Sequence, residues 1–375
     1  MKILCISCHV PPSTGGTGTV ISNLRSSFED HELIIFGEKN IEISSKTEVS
    51  SGIYYFNSDF KWNFKGKRFL RWIRWFSFPL MLFKLYQIQK KEKFDSILTL
   101  YPDDLYLSAS LILSYISNIK LFTWFHNTYA DQKDGFNKIF ANTLEKAVIS
   151  RSIKIFGISE AVTKHFKSKY KSKSVSTVRH PFKIPDLKKN KASTHGEKKL
   201  FLINGSINSS CIEAYKSLFS MISKMDDIEL HVYTGTAEWV CKKNNLLSKN
   251  IIYKGFIQGS FTDIAARYDG AFLAHSSYGA LPKVEYKTIF PTRFVDLVIN
   301  QIPTIAYVPK DTYIHDFISK YNCAYLCQEE YEIKTALKNF SYHQYAHTEL
   351  FKNMLKVQSL FDRDEIKENL KREMR

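Results

Sequence analysis

"MKILCISCHVPPSTGGTGTVISNL" (residues 1–24) opens the chain, and its reading decides the fold. Ile3 to Ile6 form a β-rich apolar run, Pro11 and Pro12 end it, and Gly15, Gly16 and Gly18 follow. Val20, Ile21, Leu24 and Phe28 then recur at helical spacing. A strand, a glycine-rich loop and a helix N-terminus together offer backbone N–H groups to an anionic ligand. The paired glycines also suit its close approach. The spacing is G-G-x-G, not G-x-G-x-x-G, and Ile21 stands where a third small residue belongs. The dinucleotide fingerprint is therefore not met.

The same alternation runs outward from this unit. Strand-like runs fall at 2–6, 32–36, 53–56, 96–100, 119–125, 153–158 and 174–178, with helical patterns at 17–28, 67–90, 104–116, 136–150 and 160–170. Then "KIPDLKKNKASTHGEKK" (183–199) is polar, basic and aperiodic, which reads as a linker. Strands resume at 199–204, 229–234, 251–256, 270–275, 303–308 and 324–327. This predicts two Rossmann-like doubly wound α/β domains, 1–185 and 199–345, joined by 186–198 and followed by a helical tail at 346–375. Each would carry its function on the loops after its strands, and the two would face each other across a cleft.

The chain has 375 residues, 44% hydrophobic and 24% charged, which suits two globular cores rather than disorder. Six scattered cysteines and no signal-peptide pattern point to the reducing cytoplasm. Cys5 and Cys8 form a CxxC at a strand end, where packing is the expected role. No GxxxxGK[ST], HExxH, paired CxxC or GxSxG occurs, and DxD appears only at 362–364 in the charged tail. A P-loop nucleotidase, a zinc site and an α/β hydrolase are set aside, and no metal is expected.

The net charge of +16 calls for an anionic partner. Its densest source is "KWNFKGKRFLRWIRWFSFPLMLFKL" (61–85). On a helix, Phe69, Trp72, Ile73 and Phe76 share one face, and Lys67, Arg71 and Arg74 share another. Basic residues beside tryptophans suit a helix lying in a membrane interface. Lys67, Arg68, Arg71, Trp72, Arg74 and Trp75 are the residues expected to face an anionic membrane. Arg74, Pro79 and Lys84 interrupt the apolar run, so the segment would lie on a bilayer rather than cross it. No nucleic-acid recognition module is visible, and no nucleic-acid partner is expected.

Three strand ends draw attention. His126 stands one residue past the 119–125 strand in "TWFHNTYAD". Ser159 and Glu160 open a helix as cap and first-turn acid. In "HSSYGALPKVEYKTIFPTRFVDLVIN" (275–300), Lys283, Lys287 and Arg293 form a basic loop suited to phosphate, with Asp296 one turn into a helix where it could accept from a ribose.

These motifs, in this order, resemble GT-B glycosyltransferases of the retaining family 4. The opening strand, "PP..GG" loop and helix, then "FDSILTLY", "FTWFHNTYAD" and "KIFGISEAVTKHF", are similar to the family's successive strand ends. "FPTRFVDLVINQIPTIAY" resembles its donor segment, and the likeness spans about residues 1 to 340. It implies a metal-independent enzyme that moves a sugar from a nucleoside-diphosphate donor, with no other cofactor, to a lipid-linked or oligosaccharide acceptor in surface polysaccharide synthesis. The enzyme would work on the inner face of the cytoplasmic membrane. Gly15, Gly16, Gly205, Lys283, Arg293 and Asp296 would bind donor, with His126 and Arg293 catalytic. His9 could serve the acceptor or act as an alternative base. The loop "INGSINSSCIEA" (203–214) lacks the arginine and lysine that the family places there on the diphosphate. Arg293, Lys283, Lys287 and the Arg179–His180 pair are the candidates to replace them. A sugar-nucleotide epimerase of the same architecture and a non-catalytic assembly partner are the alternative readings.

Overall fold

The computed structural model describes residues 1–11, 15–39, 52–57, 68–100, 103–186, 198–276, 281–342 and 348–375. It divides into two compact units: Met1–Lys183 with Arg363–Arg375, and Ile184–Asp362.

Unit 1 is built from β1 (Ile3–Ser7), α1 (Gly16–Arg25), β2 (Leu33–Glu38), β3 (Ile53–Phe56), α2 (Phe78–Glu92), β4 (Ser96–Leu100), α3 (Asp104–Ile116), β5 (Lys120–Phe125), α4 (Gly135–Arg151), β6 (Lys154–Gly157), α5 (Glu160–Lys169) and β7 (Val175–Thr177). The seven strands are parallel, in the order β3-β2-β1-β4-β5-β6-β7. Every residue of β1 and β4 is buried, because helices cover both faces of a parallel sheet and leave no strand face for water. Helix starts follow their caps. Asp103 accepts from the N–H groups of Leu105 and Tyr106 to open α3, and Ser159 accepts from Val162 to open α5, as its sequence predicts.

The helix expected over 67–90 is two elements. Residues 68–77 wind as 3₁₀ turns, and α2 begins at Phe78. Pro79, in its first turn, needs no N–H partner there. This division changes the reading of two residues expected to face lipid. Arg74 turns inward: its Nη1 lies 2.8 Å from Asp103 Oδ2 and its Nη2 3.5 Å from Glu38 Oε2. Two carboxylates in a half-buried setting hold its charge more firmly than a solvated surface would. Trp75 packs on Phe78 and Phe140, ring centroids 5.1 and 5.8 Å away. Lys67, and the side chains of Arg68, Arg71 and Trp72, lie outside the described residues.

Unit 2 comprises β8 (Lys199–Asn204), α6 (Ile212–Ile222), β9 (Ile228–Tyr233), α7 (Glu238–Lys243), β10 (Ile251–Gly255), α8 (Phe261–Ala265), β11 (Gly270–Ala274), α9 (Lys283–Thr288), α10 (Thr292–Ile299), β12 (Thr304–Tyr307), α11 (Tyr313–Tyr321), β13 (Tyr325–Cys327), α12 (Glu330–Tyr342) and α13 (Thr348–Gln358). Its six strands are parallel in the order β10-β9-β8-β11-β12-β13.

The helical tail expected at 346–375 contains two helices, which belong to different units. Helix α13 packs on α10 and α11 in unit 2, where Gln358 Nε2 donates to Ile299 O at 2.7 Å. The last helix, α14 (Arg363–Glu373), belongs to unit 1. Ile366, Leu370 and Met374 enter that core, while Lys371 pairs with Glu32 at 2.6 Å and Glu373 pairs with Lys154. Glu32 and Lys154 sit at strand starts, so α14 covers the amino edge of the sheet and leaves the carboxyl edge to the site. Among the described residues no helix is long and apolar enough to cross a membrane.

Candidate functional site

In both sheets the strand order reverses beside the first strand, between β1 and β4 and between β8 and β11. Ligands of doubly wound sheets bind at the carboxyl ends of the strands at this switch point.

In unit 2 the switch point gathers Asn204, Gly205, His275, Ser276 and Arg293. Gly205 follows β8, and its φ of +94° is a conformation that other residues rarely adopt. Arg293, in the first turn of α10, lays its side chain against Gly205 and donates from Nη2 to Ser206 O at 2.8 Å. Its Nη1 donates to Tyr215 Oη at 3.4 Å, a phenol that burial holds neutral by pushing its pKa up to about 12. The guanidinium is thus carried from α10 into the β8–α6 loop.

His275 follows β11. Its Nδ1–H donates to Ser276 O at 3.1 Å, and Ser276 Oγ in turn accepts from Ala214 N at 3.3 Å. Burial depresses the imidazole pKa to about 4, so the ring is neutral. Its Nε2 and the Oδ1 of Asn204 are buried without a hydrogen-bond partner among the described residues. Buried polar atoms are nearly always satisfied, so two orphans at adjacent strand ends mark a place that a polar ligand would complete. Asp296 stands three residues after Arg293, and burial raises its carboxyl to about 7. Lys283 and Lys287 are exposed on α9.

In unit 1 the carboxyl edge carries three histidines. His126 follows β5 with its Nδ1 3.3 Å from Thr17 Oγ1, in the first turn of α1, and its ring edge-on to Trp124. Burial, then the neighbouring His180 and His9, lower its pKa to about 3. Its Nε2 has no hydrogen-bond partner among the described residues. His180, after β7, is buried and likewise depressed to about 3. His9, after β1, is lowered by burial and by Arg74, with Asp103 opposing. Gly15 caps α1 in an extended conformation with no side-chain cap, and Gly16 opens the helix. A β-carbon at Gly15 would meet nothing within 4 Å among the described residues. The fold itself does not demand glycine there.

No family model matches the sequence, and no curated protein matches it. Solved structures do. The chain is similar over 99% of its length to sucrose-phosphate synthase from Thermosynechococcus elongatus, covering 98% of that chain, with a TM-score of 0.74 at 13% identity. It is similar over 100% of its length to HepE from Anabaena, solved in complex with UDP, covering 99% of that chain with a TM-score of 0.70 at 13% identity. A glycosyltransferase from Rickettsia africae matches with a TM-score of 0.68 at 12% identity, over 100% of this chain and 97% of that one.

The fold is GT-B.

Within this GT-B chain, Gly205 and Arg293 come together in unit 2, with Asp296 further along α10, while His9, Gly15, Gly16 and His126 lie along the carboxyl edge of unit 1. Arg179, another candidate cation, pairs with Glu160. Cys5 is buried with its thiol pushed up to about 12, as a packing residue should be. No cluster of three or more His, Cys, Asp or Glu among the described residues is placed to hold a metal.

Sequence reasoning passed over four residues: Thr17, Asn204, Tyr215 and His275. His275 carried the same signal as His126, a histidine at the end of an apolar strand. Tyr215 carried none, because only folding brings α6 beside the first turn of α10.

Proposed function

We propose that this chain is a glycosyltransferase. It takes a sugar from a nucleoside-diphosphate donor held by unit 2 and passes it to a hydroxyl of a lipid-linked or glycan acceptor in surface polysaccharide synthesis. One observation carries the reading: Arg293 is delivered into the β8–α6 loop, beside the unsatisfied Asn204 and His275. That loop lacks its own cation, and Arg293 supplies one.

In such a transfer the bond from the anomeric carbon to the diphosphate oxygen breaks, a bond to the acceptor oxygen forms, and the acceptor proton leaves. Negative charge grows on the departing diphosphate, and a fixed guanidinium lowers the barrier by stabilising it. Lys283, on the exposed start of α9, is a second candidate cation for the diphosphate. Asp296 is assigned to the ribose hydroxyls. His126, held neutral, can exchange hydrogen bonds with a sugar hydroxyl through its unpartnered Nε2 without adding a competing charge. Gly15 and Gly16 leave the first turn of α1 open to a ligand. Retention of anomeric configuration, metal independence and work at the inner face of the cytoplasmic membrane rest on the resemblance to family 4. His9 is the alternative base should the reaction invert.

Purified protein is offered a panel of nucleotide-sugars with membrane extract, and release of nucleoside diphosphate is measured. Turnover with one donor is expected, together with a rise in melting temperature on adding its nucleotide. Absence of both with every donor overturns the proposal. A changed sugar-nucleotide formed without acceptor would instead identify an epimerase. Unchanged glycan production in cells carrying Arg293→Ala and His126→Ala would identify a non-catalytic partner.

A further inference from the structure

Away from the site, the start of α2 and the start of α4 present a continuous apolar stripe to solvent. Phe76, Leu80 and Phe83 are 81, 59 and 61% exposed, and Ile73 precedes them on the same line. The opposite side of α2 buries Met81, Leu85 and Ile88, so the helix is apolar on two faces and only one is used by the core. Helix α4 repeats this pattern: Ala141, Leu144 and Val148 are buried, while Phe136 and Ile139 stand 73 and 65% exposed. Helices of a parallel sheet run against the strands, so both apolar starts lie at the carboxyl edge. The edge contact of Trp75 with Phe140 brings them side by side.

Charge decides what covers this face. Along the same exposed lines, Lys90 and Lys91 follow on α2, and Lys146 on α4. The acidic side chains of these helices are committed elsewhere: Glu92 pairs with Lys2, and Glu145 is buried against Lys169. A second copy seated face to face would oppose lysine with lysine. An anionic lipid surface instead receives the apolar side chains between its acyl chains and meets the lysines with its headgroups.

We infer that this face docks unit 1 on an anionic bilayer, inserted through Phe76, Leu80, Phe83, Phe136 and Ile139. The apolar side chains, rather than the Arg74 and Trp75 read from the sequence, make the contact. The inference deepens the lipid-linked acceptor of the proposed function and rests on that reading for its purpose, while the physics of docking stands apart from catalysis.

The test sediments the full-length protein with vesicles of phosphatidylglycerol and phosphatidylcholine, and with vesicles of phosphatidylcholine alone. Binding to the anionic vesicles is expected, weakened by salt. Phe76→Ser/Phe83→Ser and Phe136→Ser/Ile139→Ser should each reduce partitioning by about tenfold or more. Lys90→Glu/Lys91→Glu should reduce it for the anionic vesicles only. An unchanged melting temperature verifies that each variant is folded. Equal binding by wild type and the serine variants, or equal binding to both vesicles, overturns the inference. A dimer in ultracentrifugation that Phe76→Ser/Phe83→Ser dissolves would overturn it too, by assigning the face to a second copy. Nucleotide-induced thermal shifts are read on the same samples without vesicles, so a failed transferase reading and a failed docking face give different results.

Discussion

Arg293 lies against the bare α-carbon of Gly205: a β-carbon built there would stand 3.5 Å from Arg293 Nε, and the guanidinium passes on to Ser206 O at 2.8 Å. The two residues are 88 positions apart in sequence numbering, and their contact is what places a cation in a loop that encodes none. Gly205→Ala should lower stability by about 1–2 kcal/mol through its φ of +94°. The measurement is a lower melting temperature together with a smaller nucleotide-induced shift. Arg293→Ala should leave the fold intact and cut turnover about 100-fold. Arg293→Lys should recover only part of it, since an ammonium cannot reach Ser206 and Tyr215 with one planar fork.

Asp296 makes a prediction in pH. Its carboxyl is raised from 3.8 to about 7 by burial, so between those values the folded chain holds a proton that the unfolded chain has lost. Stability therefore falls as pH rises through that window, by about 4 kcal/mol at most once the carboxylate is fully charged. Asp296→Asn removes this loss. The variant should melt higher than wild type at pH 8 and no higher at pH 4, and at both it should lose part of the nucleotide-induced shift.

The buried histidines predict the opposite slope. His126 and His180 are depressed to about 3 and His275 to about 4, all mainly by burial, from an ordinary value of 6.5. Below that ordinary value the unfolded chain takes up protons that the folded chain refuses, so stability is full above it and is lost as pH falls. Each histidine contributes a slope of about 1.4 kcal/mol per pH unit. Denaturant midpoints measured between pH 7 and 5 should drop, and His126→Gln should flatten the drop by one proton's share.

Arg74 separates a buried ion pair from a lipid-facing cation. Arg74→Ala would leave Asp103 and Glu38 without their shared cation, at a cost of about 1–3 kcal/mol. A large fall in melting temperature without vesicles is the expected result. A residue facing lipid would instead lose vesicle binding and keep its melting temperature.

Much of this was legible in the sequence because it is local. Strand-length apolar runs, the cap Ser159, and the glycines after β1 and β8 all act within a few residues. The 68–77 segment shows where locality misleads. A helical wheel sets Arg74 among outward cations, but 3₁₀ winding and the carboxylates of β2 and α3, 36 and 29 residues away, turn it inward. The tail shows the same limit, since no local pattern says that α14 must return to the amino edge of unit 1.

The sequence by itself determined the alternation of elements, and with it two doubly wound sheets and the strand ends where chemistry could sit. Only the tertiary structure decided which residues meet there. Thr17 reaches His126, Arg293 enters the loop after β8, and the apolar start of α2 is left uncovered. The physical reason is range: backbone preference and hydrophobic period are read within a turn or two. A guanidinium's partner, a histidine's burial and a helix's empty face depend on packing between distant elements.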